Sequence, residues 1–247
     1  MAEAASIPAV SLTALYALRL GGQFPVSSSE SGRKNRSILI HSAAGGVGSM
    51  LVQMAKLLGL SPIVGIVGRS SKVDAAKALG CDVVIDKSQE DLWEVASNAS
   101  PDGYVMICDA NGVATLHQSY MHLAPTGRLI VFGFHTNLPM GQDMLSPMEW
   151  LRMGAKMASM TKFDAMDLTT SNKSVMGFNL SFFTEEVDLM GELYDHIGKW
   201  IVDGKLSCPR IVEMDLESVD EAHGLIQSGR SVGKIIINTG ANYEGVK

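Results

Sequence analysis

From Ser37 to about residue 133 the chain repeats one pattern: a short apolar run, a polar break, then a stretch whose apolar residues recur at helical spacing. The apolar runs fall at 38–42, 63–67, 83–86, 104–108 and 129–133, with helical stretches at 47–59, 72–79, 89–98 and 112–122. Short, mostly apolar runs rich in β-branched residues suit strands covered on both faces. Strand alternating with helix predicts an α/β fold on a doubly wound parallel sheet of Rossmann type, with about six strands. Pro62 and Pro101 stand ahead of the second and fourth runs, and Pro125 with Gly127 marks a turn before the fifth.

The pattern loosens at both ends. Residues 1–20 are alanine-rich and read as a helix, and 21–37, with Gly, Ser, charge and Pro25, as a flexible connector. Residues 135–147 read as a loop and 149–160 as a methionine-rich helix. A strand is expected at 174–180, then a helix over 185–203 with Val187, Met190, Tyr194, Ile197 and Ile201 on its apolar face. The tail reads strand 209–214, helix 217–228, strand 233–237. The 15 methionines suit adaptable core filler better than a metal or peptide site.

The first strand run leads into Ser42-Ala43-Ala44-Gly45-Gly46-Val47-Gly48 and then a helix. This order suits a dinucleotide pyrophosphate: Gly45 lets the backbone approach the phosphates, Gly48 lets the helix pack on its strand, and free amides at the helix start face the anion. Ala43 stands where the usual pattern has its first glycine, and a glycine cluster is also compatible with a plain tight turn. After the second strand, Gly68-Arg69-Ser70-Ser71-Lys72 lacks the acidic residue that would accept ribose hydroxyls in an NAD-preferring site. Arg69, Ser70 and Lys72 are donors suited to a 2'-phosphate, so a dinucleotide site here favours NADPH. Arg69 and Lys72 also read as a solvated loop and helix start.

A chain of 247 residues buries roughly 70 % of its unfolded surface. Its net charge of −6 gives no reason to expect nucleic acid or an anionic membrane. Cys81, Cys108 and Cys208 lie far apart, which indicates neither a disulfide framework nor a zinc site. There is no apolar run long enough for a membrane span and no secretory pattern at the N-terminus, so a cytoplasmic location is expected. His41, His117, His122 and His135 have no acid paired by spacing and read as packing or surface residues. No catalytic residue is assignable.

Several segments carry a specific resemblance: Ala4-Ala5-Ser6 through Ser11-Leu12-Thr13-Ala14, the fingerprint 40–48, Ala78-Leu79-Gly80-Cys81, Gly127-Arg128-Leu129-Ile130 and Val232-Gly233-Lys234-Ile235-Ile236. In that order they resemble the zinc-independent quinone oxidoreductase (zeta-crystallin-like) branch of the medium-chain dehydrogenase/reductase superfamily. Gly177-Phe178-Asn179-Leu180 is similar to the vesicle amine transport protein 1 group of that branch. The resemblance implies that Thr13 approaches the nicotinamide and that Ala44, Gly45, Gly46, Val47 and Gly48 surround the pyrophosphate. It implies that Ser70, Lys72 and Lys87 hold the 2'-phosphate, completed by Lys234 or Arg230, and that Asn111 borders the adenosine and its ribose. Phe132, Gly133 and Phe134, with Phe178, Asn179 and Leu180, fall beside the nicotinamide.

The resemblance further implies three segments: an N-terminal helix and connector (1–36), a dinucleotide-binding domain (37–204) and a part resembling the returning strands of the substrate domain (205–247). Family members carry most of that substrate domain before the segment matching Ala4, so this chain is expected to lack it. The implied activity is NADPH-dependent hydride transfer to a quinone or α,β-unsaturated carbonyl. The alternative is a non-catalytic NADPH-binding or protein-interaction module, and a cleft without its opposite wall would give slow turnover. A homodimer through the edge strand at 174–180 is expected, because an open apolar edge is a liability unless paired.

Overall fold

The computed structural model describes residues 1–25, 36–133, 147–158, 160–183 and 185–240. Most of the expected connector, residues 135–146 of the expected loop, His135 among them, and Phe134 lie outside those residues, while Pro147, the loop's expected last residue, opens a helix. The remaining expected elements are all present. β1 (Ile38–Ile40), β2 (Ile63–Val67), β3 (Val83–Asp86), β4 (Tyr104–Asp109), β5 (Leu123–Val131) and β6 (Ser174–Gly177) form one six-stranded sheet in the order β3-β2-β1-β4-β5-β6. Every pairing in it is parallel.

Side chains alternate across a strand, so one apolar run supplies two cores. Ile38 and Ile40 join Ile63, Val67, Met106, Cys108 and Ile130 on one face, under α2 (Pro8–Leu20) and α3 (Gly46–Leu57). Leu39 turns the other way with Val64, Ile66, Ile85, Ile107 and Leu129, under α5 (Leu92–Ala99) and α6 (Leu116–Met121). Burial on both faces is why these strands lack polar alternation. On the first face α4 (Val73–Leu79) adds Ala76.

Some expectations change in detail. The N-terminal helix is two, α1 (Ala2–Ser6) and α2, because Pro8 opens α2 and has no N–H to continue α1. β5 begins at Leu123 and passes through Pro125 and Gly127: between Tyr104 and Met106 the pairing jumps from Leu123 to Arg128, so the expected turn is an irregularity inside the strand. Thr126 at φ 65° bonds there to the Asn172 carbonyl at 2.7 Å. The strand expected at 174–180 ends at Gly177, and Leu180–Phe182 form a 3-10 turn capped by Asn179.

α7 (Pro147–Ala158) and α8 (Ala165–Ser171) lead into β6, and α9 (Val187–Val202) follows it. The α9 stripe differs from the expected one. Leu193 and Ile197 are buried, with Leu189, Met190, Trp200 and Ile201 packed beside them, while Val187 is 69 % exposed. The reason is that α9 packs on α2, which selects the stripe passing through Leu193. A second sheet pairs β7 (Ile211–Asp215) with β8 (Lys234–Asn238), parallel and linked through α10 (Val219–Gln227), and both strands contact α1.

Candidate functional site

The strand order reverses between β1 and β4, the place where an open α/β sheet leaves a crevice at the carboxyl ends of its strands. Most residues singled out from the sequence come to this edge. Ala44 to Gly48 follow β1, Arg69 to Lys72 follow β2, Lys87 follows β3, Asn111 follows β4, Phe132 and Gly133 follow β5, and Phe178 to Leu180 follow β6. Lys234 of β8 comes against Gly46, and so does Val10 of α2, one turn before Thr13.

At the turn after β1 the geometry is steric. Ser42 takes a left-handed φ of 56°, and Gly45 is extended at the start of α3. A Cβ on Gly48 would strike the Ser42 carbonyl oxygen and lie 2.8 Å from Ala43 Cα, so the helix reaches its strand only without one. Ala43 in place of a first glycine is accommodated from across the sheet. A Cβ on Gly65 of β2 would lie 2.8 Å from Ala43 Cβ, so the space a glycine would leave in the turn is left by the strand instead. No side chain caps α3, and its first i→i−4 bond is Ser49 N–H to Gly45 C=O, which leaves the Gly46, Val47 and Gly48 amides ahead of the helical ladder. The C-terminal segment closes on this turn: Gly233 N–H donates to Ala44 C=O at 2.9 Å, and a Cβ on Gly46 would lie 3.8 Å from Lys234 Cδ.

Beneath the crevice lies a buried polar network. Asp109, ending β4, accepts from the Asn111 and Gly112 amides and from the hydroxyls of Thr115 and Ser119. The Asn111 side-chain amide donates to His41 Nδ1 at 3.0 Å, which leaves the proton on Nε2, 3.1 Å from Ser119 Oγ. Burial holds the His41 pKa below its ordinary value; Asp109 opposes that shift and Lys87 adds to it. His41 therefore serves the site by orienting Asn111 and is sealed from any substrate. This agrees with its expected packing role. His122 also has a structural place, stacked on Trp93 with its ring nitrogens on Gln118 C=O and Ser97 Oγ.

After β2 the cations are already engaged. Lys72 Nζ donates to Ser231 C=O at 2.6 Å and Arg69 Nη2 to Ser228 C=O at 3.2 Å, both on the segment leading into β8. Burial, and then the Arg69 charge, hold Lys72 below the usual lysine range. Lys87 lies along Gly68, its Cε 3.6 Å from where a Cβ would be. Ser70 Oγ donates to Asp86 Oδ2 at 2.5 Å. Asp86 and the carbonyls of Ser228 and Ser231 were not legible from the sequence; the one signal for Asp86 is an acid ending an apolar strand beside β2.

At the opposite end, Tyr16 meets Phe178 edge-on at 4.9 Å and Phe183 at 4.8 Å, and Phe132 lies 6.1 Å from Phe178. Tyr16 and Phe183 add to the expected residues. Tyr16 is one turn beyond Thr13 on α2, a spacing that could have shown it. Thr13 itself is half-buried, with its hydroxyl donated to Ala9 C=O at 2.6 Å.

Among the described residues no three His, Cys, Asp or Glu side chains come together to hold a metal ion. Cys81 and Cys108 are separate buried thiols whose pKa burial pushes up, to about 12 for Cys81. These residues do not fit a zinc site.

Residues 46–194 match the zinc-binding dehydrogenase family, which is more than half of the chain. The synaptic vesicle membrane protein VAT-1 homolog of Danio rerio is 29 % identical over 238 residues, 96 % of this chain and 46 % of the relative. The NADP-dependent oxidoreductase RED1 of Cochliobolus heterostrophus is 27 % identical over 206 residues, 83 % of this chain and 54 % of the relative. The chain thus spans about half the length of the curated relatives it matches. A crystal structure of Escherichia coli quinone oxidoreductase complexed with NADPH superposes with a TM-score of 0.73 at 22 % identity, over 96 % of this chain and 65 % of that one, a likeness of fold. The family match covers every strand of the six-stranded sheet beyond β1 and begins inside the glycine turn; the chain belongs to the zinc-binding dehydrogenase family, within the medium-chain dehydrogenase/reductase superfamily.

Proposed function

We propose that this chain binds NADPH and serves an oxidoreductase of the quinone or enone reductase type. The observation that carries the reading is the meeting of an uncapped helix start at Gly46–Gly48 with three cations, Arg69, Lys72 and Lys87, at the ends of β2 and β3, the two strands to one side of β1. Together they match the two anionic groups of a 2'-phosphorylated dinucleotide, its central pyrophosphate and its 2'-phosphate. That RED1 is NADP-dependent, and that the Escherichia coli structure of like fold is complexed with NADPH, supports the choice.

When bound, NADPH supplies a hydride for the electron-poor carbon of a quinone or α,β-unsaturated carbonyl. The chain's own part is binding and orientation. The amides of Gly46, Val47 and Gly48 bind the pyrophosphate, aided by Lys234. Lys72, Arg69 and Lys87 bind the 2'-phosphate, and Asn111, held by His41, borders the adenosine ribose. Thr13, Phe132, Gly133, Phe178, Asn179 and Leu180, with Tyr16, form a largely apolar wall that orients the nicotinamide and excludes water.

A non-catalytic NADPH-binding or interaction module is the second reading. It is favoured by the β7–β8 pair, whose Ile211, Val212, Met214, Ile235, Ile236 and Ile237 are only half-buried. The proposed segments are 1–36, 37–204 and 205–247, the last acting as the returning part of a substrate domain, and the proposed assembly is a homodimer through β6, one of the two edge strands of the six-stranded sheet. Titration calorimetry with NADPH, beside steady-state NADPH oxidation with simple quinones and enones, tests the reading. Binding with turnover supports the oxidoreductase, binding without turnover the module, and no binding rejects both. Sedimentation of a concentration-independent monomer rejects the dimer.

A further inference from the structure

Asp86 ends β3 with its carboxylate turned toward the end of β2, where it is 5 % exposed. Oδ2 accepts the Ser70 hydroxyl at 2.5 Å. Oδ1 accepts the Ser88 amide at 2.9 Å and the Ser88 hydroxyl at 2.6 Å. Bonds from Ser70 and then Ser88 hold this carboxyl below its ordinary pKa, so the group is an anion. Among the described residues no Lys or Arg pairs with it, since Lys72 and Arg69 are turned to the carbonyls of Ser231 and Ser228.

A hydroxyl has one proton, and Ser70 has given its own to Asp86. A phosphate oxygen arriving at Ser70 Oγ would meet lone pairs, with a carboxylate no more than about 5 Å behind, one ordinary hydrogen bond beyond the Ser70 contact. A ribose 2'-hydroxyl carries its own proton and donates to the same oxygen. In NAD-preferring sites the acid that favours the free hydroxyl stands at the end of the second strand. Here a comparable acid arrives from the third strand, through a serine.

We propose that Asp86 is a specificity-determining residue which, through Ser70, holds down the preference of this site for the phosphorylated cofactor, so that NADH is accepted beside NADPH. The proposal rests on the dinucleotide reading above. Lys72, Arg69 and Lys87 attract the 2'-phosphate, and Asp86 opposes them. As a positioning residue it acts on one atom of the cofactor's periphery and leaves the pyrophosphate turn untouched.

The test is Asp86→Asn, measured by titration calorimetry with NADPH and with NADH. An asparagine of the same shape keeps its oxygen for Ser88, turns its amide to donate to Ser70 Oγ and removes the charge, which frees the Ser70 proton for phosphate. The NADPH-over-NADH affinity ratio is expected to rise by about tenfold. Ser70→Ala alone should leave NADPH affinity within about twofold, because the wild-type serine has no proton to offer. In the Asp86→Asn background the same change should remove part of the gain. A purely structural role for Asp86 moves both cofactors together and leaves the ratio unchanged, which overturns the proposal while the dinucleotide reading stands. A tenfold loss of NADPH affinity in Ser70→Ala alone also overturns it, and that measurement does not depend on how well Asp86→Asn folds. A wild-type chain that binds neither cofactor removes the dinucleotide reading and this proposal with it.

Discussion

At the Ser42–Gly48 turn the candidate site is made of backbone: a left-handed Ser42, an extended Gly45, and a Gly48 whose missing Cβ lets α3 meet its strand. At the Gly68–Lys72 turn it is made of side chains held from elsewhere. Ser70 is held by Asp86, 16 residues on, and Arg69 and Lys72 by carbonyls 159 residues on. The first end therefore tolerates almost no added volume, while the second tolerates substitution and should respond in selectivity. A backbone clash is relieved only by moving an element; a displaced side-chain bond is replaced by water at modest cost.

The sharpest way to break this comparison is Gly48→Ala. Its Cβ meets the Ser42 carbonyl and the Ala43 backbone, so we expect a loss of about 3 kcal/mol in urea unfolding together with loss of NADPH binding. An unchanged unfolding midpoint would refute the close approach. Next in size is Gly65→Ala on β2, whose Cβ meets Cys81 Sγ at 2.5 Å and Ala43 Cβ at 2.8 Å. We expect a loss of about 2 kcal/mol, partly restored by Ala43→Gly in the same chain. Strict additivity of the two changes would show that Ala43 and Gly65 do not share one space.

At the other end, Lys72→Ala should weaken NADPH by about 1–2 kcal/mol and leave NADH nearly unchanged, the lower part of the range for a charged hydrogen bond because Lys72 is half exposed. Arg69→Ala, at a longer bond and a more exposed head, should do the same more weakly. Equal losses for both cofactors in calorimetry would take these residues out of the specificity site.

The smallest expected effect is one of pH. The folded His41 pKa lies below its ordinary 6.5, so the unfolded chain takes up a proton that the folded chain does not. The stability contributed by neutral His41 is present above about pH 6.5 and is lost progressively as pH falls from there toward the folded pKa. Unfolding midpoints between pH 7.5 and 5.5 should fall in the wild type and fall less in His41→Gln. Parallel slopes would mean that some other group carries the dependence.

The strands from β1 to β4 were legible because each is a short apolar run whose two faces are both covered, so composition alone marks it. β5 was legible only in its second half. The pairing jump at Pro125 to Gly127 leaves a local sequence identical to that of a turn, and partner register alone shows that the strand resumes. The α9 stripe departs from the expected one at Val187 for a related reason: that helix carries two apolar stripes, and contact with α2 selects the one through Leu193 and Ile197.

What the chain determined by itself is therefore what depends on neighbours within a few residues: the strand and helix alternation, the glycine turn, and the absence of an acid at the end of β2. Only the tertiary structure decided that Asp86 comes to Ser70 from the next strand, that His41 orients Asn111 from below, and that the segment before β8 holds Lys72 and Arg69. Backbone conformation and apolar periodicity are short-range properties, written in consecutive residues. A hydrogen bond between groups 159 residues apart depends on how two elements pack, and no local pattern encodes that distance.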